Sequence, residues 1–100
     1  MNRLVIALTV LSLAGCVSLT PSAEEVQVVR DANRVHGCQP LGNVEARSLF
    51  GGAMTKRHFE NNRRIMRNQT AEVGGDTLLL LGERPGLVPT SRGEAYNCGR

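Results

Sequence analysis

The sequence predicts an α+β fold: one helix packed on a small, mostly antiparallel sheet, in the order strand-strand-helix-strand-strand. Three observations lead there. The stretch from about Thr55 to Val73 has helical periodicity and stops at Gly74-Gly75. Short β-branched or apolar runs bounded by turn residues flank it on both sides. The chain has 100 residues, with no internal repeat and no long low-complexity segment, so one two-layer domain accounts for it.

The first element is a secretory signal, expected over residues 1–15. Arg3 supplies the positive charge, and Leu4 to Leu13 is apolar apart from Thr9 and Ser12. A spanning helix needs about 20 apolar residues, and this run is shorter, so export and cleavage are expected. The run closes on Leu13-Ala14-Gly15-Cys16. This tetrapeptide resembles the lipobox of bacterial lipoproteins. The resemblance implies a diacylglyceryl group (palmitate-type lipid) on the Cys16 thiol, cleavage just before it, and often acylation of the new amino group. Two or more acyl chains anchor a protein stably. Asp after the lipidated Cys usually marks inner-membrane retention, and Val17 stands there. By analogy the destination is the outer membrane, with the domain facing the periplasm.

Residues 16–24 are expected to form the lipidated N-terminus and a polar tether, with the domain over 25–100. Seven extended residues, Val17 to Ala23, reach at most about 25 Å. The formal charge of the whole chain is +3, and it falls to +2 without Arg3. This mild basicity lacks the electrostatic footprint of a nucleic-acid binder. With Cys16 assigned to lipid, Cys38 and Cys98 remain as an even pair in an oxidising compartment, where a disulfide is the default. A metal site or free thiols are the alternatives.

Val26-Gln27-Val28-Val29 reads as the first strand. Asp31 to Arg34 reads as a turn, and Val35 to Cys38 as extended chain. Gln39-Pro40-Leu41-Gly42-Asn43 is expected to bend. Val44 to Arg47 alternates as a strand with one wet face. Ser48 to Thr55, with Gly51-Gly52, reads as a loop, and Thr55 as the helix cap. Phe59, Asn62, Met66, Thr70 and Val73 share one helix face, with Ile65 beside them. Asp76 to Gly82 encloses four leucines, the pattern of a strand buried on both faces. Pro85-Gly86 and Pro89 mark a loop, and Gly93 to Cys98 a closing strand.

The pattern Val26-x-Val28-Val29, Cys38, Leu41-Gly42-x-Val44, Arg67-Asn68-x-x-Ala71-x-x-Gly74-Gly75-Asp76-Thr77 and Ala95-Tyr96-x-Cys98 covers about 75 residues. It resembles a family of small proteobacterial lipoproteins whose domain has no assigned function. It is more distantly similar to the outer-membrane stress-sensor lipoprotein of the Rcs phosphorelay. That sensor has four domain cysteines and a long Pro-rich tether; this chain has two cysteines and a short tether. The nearer family implies no active site.

Lys56, Arg57, Arg63, Arg64 and Arg67, with His58, make the helix basic against Glu60 and Glu72. The functional reading is a patch for an anionic envelope component or an acidic envelope protein, with Arg63 and Arg67 sharing one anionic group. The bland reading is a solvated helix face. His36, Cys38, His58 and Cys98 match no compact zinc spacing. No nucleophile motif surrounds Ser48 or Ser91, and no phosphate loop precedes the helix. The expectation is a membrane-anchored, non-catalytic binding or sensing module without cofactor or metal. The alternatives are a metal- or redox-active envelope protein using Cys38 and Cys98, or a structural lipoprotein.

Overall fold

The computed structural model describes residues 19–48 and 55–100. Residues 1–18, with the signal segment and Cys16, and residues 49–54, with Gly51-Gly52, lie outside the described residues. A short helix α1 (Pro21–Glu24) opens the described chain, followed by β1 (Gln27–Val29) and a 3₁₀ turn (Ala32–Val35). Then come β2 (Gln39–Arg47), the long helix α2 (Thr55–Glu72), β3 (Thr77–Arg84) and β4 (Thr90–Asn97). The strands form one sheet in the order β1-β3-β4-β2. β4 is antiparallel to both neighbours, and β1 is parallel to β3. The expected α+β architecture and its strand-strand-helix-strand-strand order therefore hold.

α2 connects β2 to β3, and β4 is inserted between them. That topology places α2 across one face of the sheet. Its buried stripe is Asn62, Met66 and Thr70, at steps of four residues. Met66 belongs to one core cluster with Leu78, Leu80, Val44, Ala46, Ala95 and Val26, and Ile65, Leu41 and Ala71 pack against its edge. Gly93 of β4 lies under Leu78 and Leu79; a Cβ there would stand 2.6 Å from the Leu79 carbonyl oxygen. Only glycine lets the two strands and the Leu78 side chain approach this closely. Val73, placed by its spacing on the buried face, is exposed. The helix has already ended at Glu72, and Gly74 turns the chain at φ 84°, so periodicity no longer applies to Val73.

The opposite face of the sheet is only partly covered. Val29, Val35 and Leu79 form a second apolar cluster, flanked by Cys38, Tyr96 and Cys98. Cys38 and Cys98 are joined by a disulfide whose Cα atoms are 4.5 Å apart. β3 is thus buried on both faces over Leu78, Leu79 and Leu80, but the expectation fails at Leu81, which lies past them where the register shifts between Leu80 and Gly82 and is 51% exposed. Each fully buried leucine contributes roughly 1.5–3 kcal/mol relative to exposure.

Three local expectations are corrected. Val35 to Cys38 is not extended: the turn expected over Asp31 to Arg34 is a 3₁₀ turn, Ala32–Val35, that takes in Val35, capped where the Asp31 carboxylate accepts from the Asn33 N–H at 2.9 Å. The turn drives Val35 inward over Leu79. Gln39 to Asn43 does not leave the sheet. β2 is an edge strand, where a residue without an N–H is tolerated, and the proline-glycine stretch is absorbed as a register shift between Pro40 and Gly42. Pro21–Glu24 is helical, where a polar tether is expected. The Thr20 hydroxyl caps it at the Ala23 N–H, and Ala23 is fully buried. The Thr20 N–H donates to Asn68 Oδ1, so this turn is docked along α2.

Two polar hubs hold the layers in register. Asn62, fully buried, donates to the Pro89 carbonyl at 3.1 Å and to Ser91 Oγ at 3.2 Å, and accepts from Ser48 Oγ at 2.7 Å. It therefore pins α2 to the end of β2 and the start of β4. Asp76 works at the other end. Its carboxylate accepts from the backbone N–H groups of Cys98 and Arg100, both at 2.8 Å, and from the Thr77 hydroxyl. Its own N–H donates to the Tyr96 carbonyl, and its carbonyl accepts from the Gln27 N–H. Burial pushes the Asp76 pKa up, but the hydrogen bonds from Cys98, Arg100 and Thr77 outweigh it and hold the group below the ordinary carboxylate value.

Three outcomes follow. Replacing Cys38 and Cys98 together by Ser should lower stability by about 4 kcal/mol for this loop, read as a lower urea midpoint; an unchanged midpoint would show that the bond carries no stability. Asn62→Ala should cost about 2–3 kcal/mol, because three partners lose their bond in a dry site. An Asn62→Ala protein that melts like the parent would refute this role. For Asp76, the unfolded chain takes up its proton first, near pH 3.9, since the folded pKa lies lower. Stability should therefore fall as pH drops through and below that value, and less steeply in Asp76→Asn. Parallel acid-melting profiles for the two proteins would contradict the assignment.

Candidate functional site

The basic residues of α2 do not form one patch. Arg63 reaches down to the sheet, where its guanidinium forms a two-pronged bond with Glu83 of β3; Nε–Oε2 is 3.0 Å. Arg67 turns the other way and donates to the Glu24 carbonyl at 3.0 Å, fastening α1 to the helix. The two arginines therefore do not share an anionic group. Both flank the buried stripe, so their stems pack along it and their heads take the nearest acceptor. Arg64 donates to Asn61 on its own helix. Lys56, Arg57 and Arg64 remain exposed, along the outer ridge of α2.

A second basic surface lies on the uncovered half of the other sheet face. Arg47, Arg84 and Arg92 project there from β2, β3 and β4. The register places Thr90 opposite both Arg47 and Arg84, and Arg92 opposite Glu45 and Gly82. Since strands lie about 4.8 Å apart, Arg47 and Arg84 flank Thr90 across roughly 10 Å. Together with Glu45, Glu83 and Gly82 they line an open cleft of about 420 Å³. Arg47 pairs with Glu45 at 3.0 Å. Glu83 is turned toward Arg63, with Arg30 at 3.8 Å. Among the described residues Arg84 and Arg92 have no side-chain hydrogen bond and no ion pair. The absence of a side chain at Gly82 leaves the floor of the cleft open beside Arg92.

This cluster is not visible as a charge run, because positions 47, 84 and 92 are far apart in sequence. The alternation of Glu45-Ala46-Arg47, with Ala46 buried, was the one local signal that Arg47 faces away from the helix. Nothing local marks Arg84 and Arg92 as its neighbours. Only the β2–β4–β3 pairing does.

The groups weighed for chemistry are placed as follows. Cys38 and Cys98 are bonded to each other, so neither offers a thiolate. Among the described residues no three His, Cys, Asp or Glu side chains converge on a metal-sized site. Ser48 and Ser91 both lie at Asn62, and His58 meets Ser48 through its backbone carbonyl, at 3.4 Å. Tyr96 donates to Glu94 at 3.2 Å, and burial together with the Glu94 charge raises its pKa. No described helix is long and apolar enough to cross a membrane.

No curated protein matches the sequence. A family model matches over residues 17–98, from immediately after Cys16 to the second disulfide cysteine. The match takes in both clusters, both polar hubs and every arginine of the sheet face, and the chain belongs to the family defined by the domain of unknown function DUF4156.

Proposed function

We propose that the chain is a membrane-anchored bacterial envelope lipoprotein, a non-catalytic binding or sensing module held at the outer membrane on its periplasmic side. The observation that carries this reading is Leu13-Ala14-Gly15-Cys16, a lipobox-like stretch four residues before a docked turn. The family match begins at Val17, the residue after the Cys16 that would open the mature chain. Four residues span at most about 14 Å, so a lipid on Cys16 would hold α1 and the adjoining part of α2 near the bilayer. The disulfide suits an oxidising compartment. The hydroxyls of Ser48 and Ser91 are tied into a structural network with Asn62, which favours a binding role over hydrolysis. The partner class is another envelope protein or an anionic envelope component, met close to the protein's own membrane.

Metabolic labelling with an alkyne fatty acid tests the anchor. The wild-type chain should take up label and fractionate with the outer membrane, and Cys16→Ser should lose the label and the membrane fraction together. Unlabelled wild-type protein, or label retained in Cys16→Ser, would overturn the reading.

A further inference from the structure

We propose that the Arg47–Arg84–Arg92 face and the adjoining β3–β4 hairpin tip form an interfacial contact with the phosphate headgroups of an anionic lipid surface. Three guanidiniums stand on three adjacent strands, so the sheet fixes their spacing and the contact needs little ordering on binding. A guanidinium presents a planar fork that matches two phosphate oxygens. Arg84 and Arg92 form no ion pair among the described residues, although Glu45 stands opposite Arg92 in the register, and Glu83, which also lines the cleft, is occupied by Arg63. Glu45 is the one acid left in the cleft, against Arg47.

The second observation is apolar. Past Arg84 the chain turns through Leu87 and Val88, which are 81% and 41% exposed, before re-entering the sheet at Thr90. Leu81, 51% exposed, lies beside Arg92 in the neighbouring cleft with Asn43 and Glu45. Large apolar side chains at a tip, bordered by cations, match a headgroup layer: the tip enters the acyl boundary while the arginines stay with the phosphates. A soluble phosphate compound would satisfy the arginines and leave Leu87 and Val88 in water. The outer ridge of α2, with Arg57 and Arg64, carries charge but no such tip.

The contact itself does not require lipid on Cys16. The test therefore uses residues 16–100 carrying Cys16→Ser, which contain every described element, with the disulfide formed. Sedimentation is measured with phosphatidylcholine vesicles and with phosphatidylcholine–phosphatidylglycerol vesicles. Binding is expected to the anionic vesicles only, and to fall as salt is raised. Arg84→Gln and Arg92→Gln should each weaken it about fivefold, and Leu87→Asp should weaken it as well, all with parental melting transitions. Arg57→Gln and Arg64→Gln should have the smaller effect. Equal binding to neutral vesicles, no binding to either, or loss through the helix variants alone would overturn the proposal. So would calorimetric binding of inorganic pyrophosphate without vesicle binding, which would assign the arginines to a soluble ligand. Labelling at Cys16 reads the anchor separately, so failure of one reading does not imply failure of the other.

Discussion

Dry packing on both faces of β3 is the constraint on which the rest of the structure depends. Leu78 and Leu80 face Met66 of α2, while Leu79 faces Val29 and Val35. A strand excluded from water on both sides must have its backbone paired on both sides too, since an unpaired buried amide is costly. β4 pairs with it along most of its length, and β1 covers the first three residues on the other edge. The helix and the 3₁₀ turn are coverings for these leucines. The disulfide, Asp76 and Asn62 keep the coverings in place.

Those three fastenings divide the work by position. Asn62 ties the N-terminal half of α2 to the start of β4 and the end of β2. Asp76 ties the start of β3 to β1 and to the chain beyond β4. Cys38–Cys98 closes the side of the sheet that α2 does not reach. With so small a chain, none of the clusters would be secure alone, because a short domain buries a modest fraction of its surface. The polar hubs are fully partnered, which is the condition under which buried polar groups specify a fold instead of weakening it.

This division also decides which charges are free. Arg63 and Arg67 are drawn into the structure, one to Glu83 and one to the Glu24 carbonyl. A basic run on a helix is therefore not a measure of the charge the helix offers to a partner. The outward face of the sheet gathers Arg47, Arg84 and Arg92 from three strands and leaves two of them unpaired among the described residues. The two surfaces lie on opposite faces of the domain.

Much of this was legible in the sequence. The helix was marked by its Asn62, Met66, Thr70 spacing and by Gly74-Gly75; the doubly buried strand by its leucine run, of which Leu78 to Leu80 are buried and Leu81 is not; the pairing of Cys38 with Cys98 by their even count once Cys16 is set aside. These are local or compositional signals, and local periodicity survives folding. The sequence could not show that Pro40-Leu41-Gly42 stays within a strand, because an edge position tolerates what a central one forbids. Nor could it show that the turn expected over Asp31 to Arg34 runs on through Val35 and places it over Leu79. The arginine face depended wholly on tertiary structure. Strand register brings residues 47, 84 and 92 together, and register is set by which side chains the core accepts, not by anything near those arginines in the chain.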